Sequence, residues 1–132
     1  MTLKIKFHNR TQNAGKHIQE ADMFEMSCLR KKRTGLPVNI YVDDSGTWKK
    51  MRHANRIKIQ CNKGDHPNAH GMIPMSIDDN PRILVDNPKM ELSAADINAV
   101  KKFVIANKDL LIGLGSDDNF DIVDFTGAMV LP

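Results

Sequence analysis

The chain has 132 residues and a mass of 14.9 kDa, the size of one domain; its 33 Leu, Ile, Val and Phe residues exceed the roughly one-fifth below which chains stay disordered. No apolar run approaches the roughly 18 residues of a membrane span. The opening Met1-Thr2-Leu3-Lys4-Ile5-Lys6 lacks the apolar stretch of a secretory leader, and two cysteines build no disulfide framework, so a soluble cytoplasmic protein is expected. The net charge of +3 conceals an asymmetry: residues 1–63 carry 14 Lys/Arg against 5 Asp/Glu, and residues 64–132 carry 5 against 11. If the halves share one fold, a cationic side would attract anionic partners, unless the halves neutralise each other across the molecule.

No repeat or Pro/Gly/Ser linker interrupts the chain, so residues 1–132 are expected to form a single domain. Thr2–His8 alternates apolar and polar residues and predicts a half-buried strand with Lys4, Lys6 and His8 facing out. From Ala14 to Leu29, Ile18, Ala21, Met23, Phe24, Met26 and Leu29 fit one face of a helix. The basic run Arg30-Lys31-Lys32-Arg33 follows and ends at the break Thr34-Gly35-Leu36-Pro37. Val38–Val42 predicts a second strand, Asp43-Asp44-Ser45-Gly46 a turn, and Thr47-Trp48 the start of a returning hairpin strand. Arg56–Cys61 alternates without fault, with Ile57, Ile59 and Cys61 inward and Arg56, Lys58 and Gln60 outward. Asn62–Gly71 reads as a loop, with short strands around Ile73–Ile77 and Arg82–Val85.

The clearest element is a helix from Ser93 to about Ile112. Ser93 is a good N-cap, Asp96 completes a capping-box-like pair, and Ile97, Val100, Val104 and Leu111 recur at helical spacing. Gly113 and Gly115 read as stop signals, and Phe120–Phe125 as a closing strand. The order argues for an α+β fold, with a mainly antiparallel sheet covered on one face by the C-terminal helix and a shorter N-terminal helix.

Four stretches, Arg56-Ile57-Lys58-Ile59-Gln60, Lys63-Gly64-Asp65, Ile83-Leu84-Val85 and Val104-Ile105-Ala106-Asn107-Lys108-Asp109-Leu110-Leu111, carry a family likeness. Residues 56–114 resemble a small bacterial family known only as a domain of unknown function (number 4160). The chain departs from that pattern where the family has His-x-His in the strand, because Arg56, Lys58 and Gln60 stand there, and it lacks the Trp after the helix. The resemblance implies an α+β fold in a bacterial or mobile-element setting. It supplies no activity and no functional residues.

Four kinds of chemistry compete. Cys61, His66 and His70 have spacing that a zinc loop could use, with Cys28 or His53 as a fourth ligand, but no Cys-x2-Cys knuckle accompanies them. His53, with Arg56 and Lys58 to hold an attacked phosphate, could serve a metal-independent ribonuclease of toxin type. Lys4, Lys6, Lys49, Lys50, Arg52, Arg56, Lys58 and Lys63 would merge into one basic strand surface for a polyanion, with Trp48 and Tyr41 as stacking faces. Asp117, Asp118, Asp121 and Asp124 could imitate phosphate spacing toward a nucleic-acid-binding protein. The expectation is a non-enzymatic binding protein from a bacterium, phage or mobile element, without cofactor or membrane partner. It would engage nucleic acid or a nucleic-acid-handling protein, the latter as an inhibitor, and the ribonuclease is the alternative.

Overall fold

A computed structural model of the chain describes residues 2–8, 23–50 and 55–132, with side chains from residue 26 onward except Lys50. The fold is α+β. Five antiparallel strands, β1 (Thr2–His8), β2 (Met23–Leu29), β3 (Ile40–Asp43), β4 (Arg56–Ile59) and β5 (Ile73–Ser76), lie side by side in chain order. The helix expected over Ala14–Leu29 falls partly outside the described residues, and its second half is β2. The reason is burial on both faces: Met26, Ser27, Cys28 and Leu29 are all 0% exposed. A strand covered on both sides shows no alternation and imitates a helical pattern.

Residues of β3, β4 and β5 behave as their alternation predicts, with Ile40, Val42, Ile57, Ile59, Ile73 and Met75 on the face that builds the main core. The expected hairpin return at Thr47-Trp48 is instead a 3-10 helix, Thr47–Lys50, and the strand that pairs with β3 is β4, through Ile40↔Ile59 and Tyr41↔Lys58. The strand expected at Arg82–Val85 shrinks to one bridge, Met75↔Ile83, flanked by hydrogen bonds from Ser76 N to Arg82 O and from Leu84 N to Pro74 O. Between β2 and β3, the basic run becomes a single helical turn, α1 (Lys31–Thr34), closed by Gly35 at φ 79°, a left-handed cap that glycine adopts without a Cβ penalty.

Three helices cover the main face: α2 (Ala94–Ala106), α3 (Lys108–Ser116) and α4 (Ile122–Ala128). Ser93 caps α2 as expected, through a full capping box with Asp96. Ile97, Val100, Phe103, Val104, Leu111 and Leu114 join Ile57 and Ile59 in one core. The single helix expected to Ile112 breaks at Asn107, which is buried. Its amide donates to Phe103 O at 3.0 Å and to Val130 O at 3.0 Å, while its oxygen accepts from Val130 N at 2.7 Å. Asn107 therefore ends α2 and fastens the last residues of the chain to the break. Gly113 and Gly115 do not stop the helix; they lie within α3. The strand expected at Phe120–Phe125 is α4, because Asp121 and Asp124 form a second capping box and turn Ile122 and Phe125, three residues apart, into the core.

Candidate nucleic-acid interface

The expected basic strand surface does not assemble as one patch. By register Lys4 stands opposite Ser27 and Lys6 opposite Glu25, out of phase with Arg56 and Lys58 and with two strands between them. Arg52 and His53 lie outside the described residues, and Lys50 ends the 3-10 helix. Lys49 pairs with Asp118 at 3.0 Å, and Lys63 with Asp96 at 3.3 Å. Each pair joins a cation of the first half to an acid of the second, as does the contact between Arg30 and Asp65. Part of the charge asymmetry is therefore spent inside the fold.

Arg56 and Lys58 do lie on the sheet face opposite the helices, as the alternation requires, but that face carries a small core of its own. Met26, Cys28 and Tyr41 are buried there with Met72 against them. Both basic side chains are only partly exposed, and Lys58 Nζ is 3.3 Å from Met26 Sδ. Burial pushes the Lys58 ammonium below its ordinary range against the attraction of Asp43, and burial pushes the Asp43 carboxyl up against the pull of Lys58, Trp48 and Arg56. Asp43 Oδ2 accepts the Trp48 indole N–H at 2.6 Å, and Trp48 is 8% exposed. Trp48 and Tyr41 are thus core residues and offer no stacking face. The Tyr41 hydroxyl is pushed up by burial and by the neighbouring Cys28.

Sequence reading missed the most connected polar group. Gln60, expected to face solvent, is 0% exposed. Its oxygen accepts from Tyr41 Oη at 3.1 Å, Asn39 Nδ2 at 3.3 Å and Asn68 N at 2.9 Å; its amide donates to Asn62 Oδ1 at 3.1 Å, Gly64 O at 2.9 Å and His66 O at 3.3 Å. Asn39, equally buried, donates to Asp65 O at 3.0 Å and Gly64 O at 3.4 Å and accepts from Lys31 N at 2.8 Å. These two amides hold the Asn62–Asn68 loop and the start of α1 to the ends of β3 and β4. The only signal in the sequence was the polar side chain beside each strand end, which many surface positions share.

The same arrangement gathers cations. Arg30 contacts Asp65, Lys31 Nζ donates to Lys63 O at 2.6 Å, and Lys32 and Arg33 project from α1 into solvent. No acidic residue lies in the turn of α1. Lys63 alone of the expected basic residues belongs to this corner. In the loop, Cys61 Sγ is 3.5 Å from His70 O, His66 and His70 are exposed, and among the described residues no three His, Cys, Asp or Glu side chains are grouped to hold a metal. At the opposite side of the chain's charge balance, Asp117, Asp118, Asp121 and Asp124 are all exposed where α3 passes into α4. No family model, curated protein or solved structure matches the chain. Among the described residues no helix is long and apolar enough to cross a membrane.

Proposed function

We propose that the chain is a small non-enzymatic binding protein, of the kind a bacterium, phage or mobile element carries, and that its partner is nucleic acid held through phosphate contacts. The observation that supports this reading is the cationic corner: Arg30, Lys31, Lys32, Arg33 and Lys63 converge on one loop and one turn, answered there by the carboxylates of Asp65 and Asp96. Such a surplus attracts a phosphate backbone without reading its bases. A basic nucleic-acid-handling protein is the second reading, favoured by the exposed Asp117, Asp121 and Asp124 around Val123, which is 73% exposed.

The test is anisotropy of labelled single-stranded RNA and duplex DNA across a salt series. Log affinity should fall linearly with log salt, and Lys32→Glu with Arg33→Glu should weaken binding about tenfold or more. Binding that is absent at low salt, or indifferent to salt and to both changes, defeats the nucleic-acid reading. The RNA should emerge intact; cleavage lost on His53→Ala would overturn the non-enzymatic reading in favour of the ribonuclease.

A further inference from the structure

We infer that the Asn62–His66 loop is a phosphate-binding site whose donors are the backbone N–H groups of Asp65 and His66. The inference rests on the nucleic-acid reading for the source of the phosphate, and on backbone geometry for the site itself. Gln60 and Asn39, both fully buried, draw the carbonyls of Gly64, Asp65 and His66 toward the interior. In a planar trans peptide the N–H points opposite to the C=O of the same unit, and no described peptide is cis. The N–H of Asp65 shares its unit with the Gly64 carbonyl, and that of His66 with the Asp65 carbonyl. Both N–H groups are therefore directed away from the buried amides, toward the side where Lys63, Gly64 and His66 are exposed. Among the described residues neither finds an acceptor.

Two consecutive N–H groups directed to one side offer an oxyanion two donors. The charges around them favour the same ligand. Lys31 reaches the Lys63 carbonyl, the half-exposed Lys63 side chain leaves the loop to meet Asp96, and Gly64 presents no side chain. The nearby carboxylates each have a cation: Asp65, 43% exposed, meets Arg30 through Oδ2, and Asp96, 10% exposed in its capping box, has Lys63 against it. A cation has no place among these donors. An oxyanion with several acceptor oxygens, a phosphate group, satisfies both N–H groups together, in the field of Lys31 and Lys63.

Amide proton–nitrogen spectra of the whole chain test this, titrated first with inorganic phosphate and then with a short single-stranded oligouridylate, ionic strength being held with sodium chloride. The Asp65 and His66 amide protons should move downfield and saturate in both titrations, and Lys63→Ala should weaken both responses about tenfold. If the oligonucleotide binds while these two amides stay still, the loop site is overturned and the nucleic-acid reading survives. If inorganic phosphate moves them and the oligonucleotide does not, the phosphate site stands and its source is a small phosphate compound. If neither moves them and the oligonucleotide does not bind, both are overturned.

Discussion

Trp48 and Gly115 meet so closely that neither tolerates much change. A Cβ added at Gly115 would lie 2.3 Å from Trp48 Cδ2 and Cε2. The indole N–H is held by the Asp43 carboxylate and the ring is buried, so it has little room to yield. Gly115→Ala should therefore cost about 1–3 kcal/mol, read as a lower urea midpoint, in spite of alanine's better helix propensity; an unchanged midpoint would show that the ring swings aside. Lys58 is the second sensitive residue. Lys58→Glu places a carboxylate beside buried Asp43 and should destabilise by on the order of 3 kcal/mol, so charge reversal on β4 is a stability probe before it is a binding probe. Urea melts of the variant check this. Asp96 makes stability depend on acid. The Ser93 N–H and Lys63 hold its carboxyl below the usual range. A depressed folded value contributes stability that is complete above the unfolded value, about 3.9, and is lost as pH falls through the folded one. The melting temperatures of wild type and Asp96→Asn should differ by a constant amount from pH 7 to about 5 and converge below about 4.

Among the elements, α3 lies closest to the sheet, against β3, and α2 joins the same core through its side chains. Val104 is 0% exposed in the core shared with Ile57 and Ile59, and Val104→Asp would bury a carboxylate without a partner. It should unfold the protein or nearly so, whereas exposed Lys102→Ala should change stability by no more than about 0.5 kcal/mol. A soluble, folded Val104→Asp protein would show that the helix does not dock. α2 was legible because its cap and its stripe agree. The strands with one covered face, β4 and β5, were legible for the same reason: a single burial pattern at period two. β2 was not, since both of its faces are covered and the pattern disappears. α4 was misread because Phe120, Ile122 and Asp121 mimic alternation over a stretch too short to exceed one helical turn, while its capping box of two aspartates departs from the usual Ser/Thr–Glu form. Asn107 could not be read as a break, because its role depends on Val130, which lies 23 positions later.

At the scale of the whole molecule, the site was legible only in outline. The excess of cations in the first half was plain, and Arg30–Arg33 stood out as a run, but their gathering with Lys63 depends on Gln60 and Asn39 turning inward, a tertiary choice that no local pattern announces. One feature of the architecture also governs how the protein is made. All five strands precede all three covering helices in the chain. A ribosome adding about 5–20 residues per second delivers Ile40, Ile57, Ile59 and Ile73 seconds before the residues that shield them. During that interval the nascent sheet presents an unshielded apolar wall, and its companions are other nascent chains and chaperones. A chain arrested after Leu92 should accumulate in the insoluble fraction and associate with a holdase, while the full chain is released clean. Equal solubility of the arrested and full chains in a synchronised translation would show that the sheet waits, unformed, for its helices.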